Sequence, residues 1–267
     1  HRLVSRRRNR GRTETRNFLT FQVQRFFLIL FCSFSMRAQE QNPQTDEKRN
    51  LVKMNLTGVV FRNFQFAYER TITKRLGVQV SYGFIPTGQV PLVDQYIKDD
   101  NVNNVRMGGS NFTLEPRIYL GRGYGHGFYI APYYRYSHFD VDNVTYNYTS
   151  EDPMHQGEKI PIAFSGKTNS NNVGLMIGAQ WLLGKKDNWV LDVWFIGGHY
   201  GGATGTIIGK SGRPLSVEEQ NQLNNDIQDL DISLFDYTVT TNASGATIVL
   251  DSKWLGVRSG VSFGYRF

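Results

Sequence analysis

Ser137, His138 and Asp140 stand together in YSHFD, and a further histidine, His199, follows in a second apolar stretch. A serine, a histidine and an acid are the types from which an activated nucleophile is built, provided nucleophile and base come within hydrogen-bonding reach. Neighbouring residues of a strand point to opposite faces, which sets Ser137 against His138 if this segment is extended. Asp140 and Asp142 form a D-x-D that could hold calcium with loop carbonyls, but the pattern is just as much at home on a solvated surface. His126 and His155 read as turn and loop residues, and no two histidines have the spacing of a helical metal site. The single cysteine, Cys32, excludes a disulfide framework, a zinc ribbon and a cysteine redox centre. We expect no metal, no cofactor and no catalysis. The more telling residues are six charges, Glu69, Glu115, Asp192, Arg117, Arg135 and Arg258, each on the polar side of an otherwise apolar alternating segment.

Those segments dominate the chain from Leu51 onward. Phe64, Phe66, Tyr68 and Ile72 alternate with Gln65, Ala67, Glu69 and Thr71; Leu76, Val78, Val80, Tyr82 and Phe84 alternate with Gly77, Gln79, Ser81 and Gly83. The same period of two recurs around Phe112 to Leu120, Phe128 to Phe139, Val173 to Trp181, Trp189 to Phe195 and Val257 to Phe267, and Met54, Leu56 and Val60 stand opposite Lys53, Asn55 and Thr57. A period of two marks strands with two different faces. Eight strands are predicted, at 51–61, 64–73, 76–86, 111–121, 127–141, 169–183, 188–200 and 251–267.

Composition and charge narrow the class. In 267 residues there are 4 Trp, 14 Tyr and 18 Phe, too much ring surface for a disordered chain. The net charge of +7 is uneven. Arginines crowd residues 1–39, where Glu14 is the one acid, and the rest of the chain is near neutral, so no basic face for nucleic acid is expected. The arginines precede an apolar run, Phe26 to Met36, and then Arg37-Ala38-Gln39. Basic flank, short apolar core and small residue make a secretory signal peptide cleaved after Ala38, and the run is too short to span a bilayer. Phe31 before Cys32 does not suit a lipidation site. The expected organisation is a leader and signal peptide over 1–38, a polar segment over 39–50, and one domain over 51–267.

The connections separate a membrane barrel from a soluble sandwich. Thr73-Lys74-Arg75, GRGYGHG (121–127) and GKKDN (184–188) are short; Ile85 to Ser110, Val141 to Thr168 and Gly201 to Leu250 are long, and the link Phe61 to Asn63 is tight. Short turns at one end and long loops at the other are the habit of outer-membrane barrels, whose even strand number leaves both termini periplasmic. A strand in lipid has no water for its N–H and C=O groups, so the sheet must close, with apolar side chains outward and polar ones inward. A soluble barrel needs the reverse. The fold expected is therefore an all-β, antiparallel, up-and-down, eight-stranded transmembrane barrel. In its narrow interior, Glu69, Glu115 and Asp192 should pair with Arg117, Arg135 and Arg258, three against three, and block the lumen.

The final VSFGYRF puts Val261, Phe263, Tyr265 and Phe267 at alternate positions. This is similar to the terminal strand signature read by the barrel-assembly machinery. With the signal peptide, the eight strands and MNLTGVVFRNFQFAYERTI, the chain resembles the small OmpA/OmpX-like outer-membrane β-barrels of Bacteroidota. The resemblance implies a bacterial outer-membrane location and contact with outer-membrane lipids, lipopolysaccharide and the assembly machinery. Some small outer-membrane barrels modify lipid A with Ser, His and an acid near the outer leaflet, which makes such an enzyme one alternative here and a narrow pore for small solutes the other.

The last loop is the longest. Ser216 and Glu219 form a capping box, and Leu223, Ile227 and Leu230 share one face, so a short helix is expected there. Its apolar face is either a docking element for a partner protein or a lid over the barrel mouth. The segment Ile85 to Ser110, with Val93 and Tyr96, is expected to pack on the same rim. The resulting expectation is a non-catalytic structural or interaction protein that works through its outward loops.

Overall fold

In chain order the elements are β1 (Asn50–Asn55), α1 (Leu56–Val60), β2 (Phe64–Thr71), β3 (Leu76–Gln89), β4 (Val102–Asn103), β5 (Arg106–Tyr119), β6 (Gly127–Thr149), β7 (Lys159–Leu183), β8 (Trp189–Ser211), α2 (Val217–Asp229), β9 (Tyr237–Asn242) and β10 (Gly245–Arg266). The computed structural model describes residues 48–89, 102–121, 123–229 and 236–267. The signal-peptide reading, Val93, Tyr96 and Leu230 lie outside the described residues. No described helix is long and apolar enough to cross a membrane.

The strands pair antiparallel in the order β1-β2-β3-β5-β6-β7-β8-β10, and β10 returns to β1, so eight strands form a closed ring. The seam is made by pairs such as Lys53 with Gly264, and it ends with Asn50 and Phe267, which exchange backbone hydrogen bonds of 3.1 and 2.8 Å. The short turns 72–75, 120–126 and 184–188 lie at this same end. Closure leaves no edge strand where β1 pairs with β10, and there the backbone polar groups are paired on both sides. β9 and β4 add to the opposite end, on β10 and β6.

Two expectations about the elements need correction. The first strand stops at Asn55 and does not run to Phe61. The Asn55 side chain accepts from Gly58 N at 2.9 Å and starts a helical turn, α1, that carries Leu56, Thr57 and Val60 out of the alternation. Thr57 Oγ1 then accepts from Val261 N at 2.8 Å, which satisfies an N–H of β10 where β1 has ended. The second correction concerns the long links. β6, β7, β8 and β10 have 23, 25, 23 and 22 residues, against the about 9–11 that cross a bilayer. Much of Val141 to Thr168 and of Gly201 to Leu250 is thus strand, and one side of the ring rises well beyond the 6 residues of β1 and the 8 of β2.

Burial assigns the faces. Gln65, Glu69, Gln79, Thr113, Glu115, Arg117, Gln180 and Asp192 are buried, while outward residues such as Phe66, Val173 and Val257 are 52%, 65% and 75% exposed. The ring is polar inside and apolar outside. Glycine makes room within it: a Cβ at Gly178 would collide with the Tyr129 hydroxyl, and one at Gly77 with Glu69 Oε1. Beyond the polar layers the inner face changes character. Tyr148, Ile160, Ile162, Phe164, Val239 and Ala246 line the inner side of the tall strands and enclose Leu223 and Ile227 of α2. At that end the polarity returns to that of a water-soluble protein.

Candidate functional site

The centre of the ring is an ion network. Lys53 of β1 extends its Nζ to Glu69 Oε2 at 2.7 Å, Asp192 Oδ2 at 2.8 Å and Gln180 Oε1 at 2.7 Å, which uses all three ammonium hydrogens. Arg117 of β5 donates from Nη1 to the same Asp192 oxygen at 2.7 Å and to Glu69 Oε2 at 3.3 Å, and from Nη2 to Glu115 Oε2 at 3.0 Å. Its guanidinium lies 4.4 Å from the centre of the Tyr129 ring, and Tyr129 Oη donates to Asp192 Oδ1 at 2.8 Å. Tyr119 donates to Glu69, and Gln79 to Glu115 at 3.0 Å. The side chains of Lys53, Glu69, Glu115, Arg117 and Asp192 are at most 1% exposed. The strands that supply them are spread around the ring, so the network is a plug that closure of the sheet assembles. Charges this deeply buried are tolerated only when paired and hydrogen-bonded.

The sequence reading brings five of its six residues together. Glu69, Glu115, Arg117 and Asp192 form the plug, and Arg258 Nη1 reaches Glu115 Oε1 at 3.2 Å. Arg135 does not join. It faces inward but, among the described residues, donates to the hydroxyls of Ser137, at 3.2 Å, and Thr113, at 3.4 Å. The residue missed is Lys53, the cation at the heart of the plug. The count of three acids against three bases is therefore corrected to three against five, because Arg266 is also buried on the inner face of β10. The position of Lys53 on the Asn55 side of MNLTG was the available signal.

The candidate nucleophile does not assemble. Ser137 is buried on the inner face, where Arg135 donates to it; His138 is on the outer side with Asp140 Oδ1 at 3.3 Å and Asn169 Oδ1 at 2.7 Å. His199 is inward and shares a 3.0 Å hydrogen bond with Tyr133. Asp140 is 3.8 Å from Lys167, and Asp142 is 3.4 Å from Arg106, so each half of the D-x-D is turned to a base.

At the tall end, the capping box forms as expected. Ser216 N donates to Glu219 Oε2 at 2.9 Å and Glu219 N to Ser216 Oγ at 3.2 Å. Arg213 clamps both Glu219 oxygens at 2.9 and 2.7 Å, and Ser150 Oγ donates to Oε1 at 2.7 Å, which ties the turn between β6 and β7 to α2. The Arg213 hydrogen bonds are the main cause that holds the Glu219 carboxyl down to about 2. Burial, with Glu219 and Asp226 nearby, pushes Tyr148 up to about 12. Asp152, His155 and Glu219 bring donor atoms within 4.8 Å, but the guanidinium seated on both Glu219 oxygens opposes a cation. Of the two readings of this apolar face, a docking element or a lid over the barrel mouth, the packing fits the lid. Leu223 and Ile227 are 0% and 3% exposed, packed on the chain's own strands, each burial contributing about 1.5–3 kcal/mol. No partner can use that face while the helix stays in place.

Val261, Phe263, Tyr265 and Phe267 follow the outer side of β10. Trp189 stacks on Phe263 at 5.4 Å and meets the Tyr265 ring edge-on at 5.5 Å, while Asn188 Nδ2 donates to Tyr265 Oη at 2.7 Å. Amphipathic rings therefore gather near the short-turn end.

No curated protein matches the chain. Among solved structures, it is similar to a major outer membrane protein from Thermus thermophilus (15% identity, 82% of this chain and 98% of that one, TM-score 0.39). It is also similar to the N-terminal β-barrel domain of Pseudomonas aeruginosa OprF (11%, 82% and 99%, TM-score 0.32). Acinetobacter baumannii CarO is a third (11%, 85% and 100%, TM-score 0.33). A family model described as protein of unknown function, DUF3575, matches residues 25–204, more than half of the chain, and the chain belongs to that family.

Proposed function

We propose that the protein is an integral β-barrel of the bacterial outer membrane with a filled polar lumen and no catalytic role. In this reading it acts as a structural or interaction protein through the part of the ring that projects from the bilayer. The observation that carries the proposal is the reversed polarity: Phe66, Val173 and Val257 are open to the surroundings while Glu69, Arg117 and Asp192 are sealed within. In water such a wall costs free energy at every exposed ring and aliphatic chain; in lipid it is the favourable arrangement. A closed ring also meets the requirement that no backbone group be left unpaired in hydrocarbon.

The end with the short turns, where Asn50 pairs with Phe267, faces the periplasm in this reading, and the tall end with α2 faces outward. The outer wall contacts membrane lipids and lipopolysaccharide. Val261, Phe263, Tyr265 and Phe267 serve the assembly machinery, as in the OmpA/OmpX-like barrels of Bacteroidota that the sequence resembles. A protein partner would meet the polar outer side of the tall strands, where Lys167, Lys210, Asp251 and Lys253 are exposed, since the apolar face of α2 is covered.

Cell fractionation followed by alkaline carbonate extraction tests the location: the protein should stay with the outer membrane. Recovery in the soluble periplasmic fraction would overturn the proposal. Purified protein in planar bilayers should give no steady conductance, because the ion network fills the ring. Large reproducible open steps would replace the filled lumen by a narrow pore, and a changed lipid A acylation pattern in cells lacking the protein would restore the enzyme.

A further inference from the structure

The ion network leaves a remainder next to it. The three inward acids make their ion pairs with Lys53, Arg117 and Arg258, and Arg135 has no carboxylate within pairing distance among the described residues. Hydroxyls of Ser137 and Thr113 offer it dipoles, not a countercharge. Arg258 spends Nη1 on Glu115, which Arg117 already holds, and its Nη2 is buried without an acceptor. Arg258 lies 4.9 Å from the Tyr133 ring centre, and Tyr133 holds His199. Tyr133 is the next inward residue to Arg135 on β6, so its contact with Arg258 brings the two arginines to the same part of the ring.

The surroundings are built for polar contact. Asn172 is the β7 register partner of Arg135, and Asn111 is that of Ser137 on β5. Both amides are at least nine-tenths buried, and each carries a side-chain oxygen without a hydrogen-bond partner, so an anion there requires each amide to turn its NH2 inward in place of that oxygen. Phe139 and Trp254 are each four residues nearer the tall end than Arg135 and Arg258 on their own strands. Their rings stack at 6.0 Å although β7 and β8 separate β6 from β10. The layer thus has the ion network on one side and an aromatic pair on the other.

We propose that this layer is a binding site for a compact anion, an oxyanion or a carboxylate, held between the guanidinium groups of Arg135 and Arg258. Two cations beside one shared acid leave positive charge inside a narrow ring, and an anion removes that imbalance. A guanidinium fork matches two oxygens of one ligand, which favours oxyanion and carboxylate groups. The aromatic pair limits the size. The site needs the charged inner wall and not the membrane location, so it can fail while the location stands, or stand while the location fails.

The test is calorimetric titration of the purified full-length protein in detergent, in Hepes buffer, with sodium phosphate and separately with sodium acetate. Saturable binding of at least one is expected. Arg135→Gln should weaken it roughly tenfold or more, while Arg70→Gln on the outer wall should leave it unchanged. Absence of saturable binding of both anions, or undiminished binding by Arg135→Gln, overturns the site. If Arg135→Gln does not fold, wild-type crystals soaked in bromide decide: an anomalous peak beside Arg135 supports the proposal and its absence overturns it.

Discussion

Lys53 Nζ lies 2.8 Å from Asp192 Oδ2, although β1 and β8 are not neighbours in the ring and β10 runs between them. The ion pair crosses the seam where the first and last strands meet, and so couples ring closure to charge burial. Removing Lys53 leaves Arg117 as the one cation on both Glu69 and Asp192, so one negative charge stays buried and uncompensated, which generally costs about 3–5 kcal/mol. Lys53→Met should therefore lower stability by that amount in urea titrations of the detergent-refolded protein. A loss under about 0.5 kcal/mol, the usual range for surface substitutions, would mean the ammonium is hydrated and the plug is not dry.

Arg258 and Lys53 both contact acids of the plug, but they differ in what supports them. Arg258 makes one contact to Glu115, a carboxylate already held by Arg117 and Gln79, and adds ring faces of Tyr133 and Trp194 at 4.9 Å. Arg258→Met keeps much of that packing and leaves Glu115 paired. Its loss should be smaller than that of Lys53→Met, about 1–2 kcal/mol, in the same titrations. The reverse order would place the centre of the plug at Glu115.

The clamp of Arg213 on Glu219 makes the tall end sensitive to acid. The folded carboxyl titrates at about 2 and its ordinary value is 4.5. A depressed value contributes stability that is complete above about 4.5 and lost as pH falls toward 2, at most about 3 kcal/mol. Hydrogen exchange of the α2 amides, corrected for the intrinsic rate, should rise across that window while the ring strands stay protected. Glu219→Gln should remove the pH step. If α2 exchange is flat from pH 5 to about 2, the clamp does not hold the helix.

The ring was legible because its strands carry two chemically different faces. From FQFAYERT to VSFGYR the alternation identifies each strand and its inner side, and eight strands close as expected. What escaped has physical reasons. GGATGTIIGK (201–210) is strand, yet small and polar residues on both faces hide the period. Asn55 ends β1 by capping a turn, a side-chain effect that outweighs the apolar alternation of Leu56 and Val60. Lys53 was on the correct face, but its role depends on Asp192, far away in sequence. Arg135 was placed in the lumen correctly, and only the register could reveal that its nearest partners are Ser137 and Thr113.

The outer wall offers the sharpest discrimination between lipid and water. Val257 is 75% exposed on β10, and its β8 register partner is Gly198, so a longer side chain there meets only the surroundings. In a protein bathed by water, Val257→Lys would be neutral, because surface substitutions lie within about 0.5 kcal/mol. In a barrel spanning a bilayer, a lysine on the lipid face costs from under about 1 kcal/mol near an interface to about 2–4 kcal/mol at the midplane. Urea-dependent folding into phospholipid vesicles measures the difference, with Lys253→Gln at the tall end as a control expected to change little. If Val257→Lys folds as well as wild type into vesicles, the apolar wall does not face hydrocarbon at that height, and the membrane reading of this strand fails.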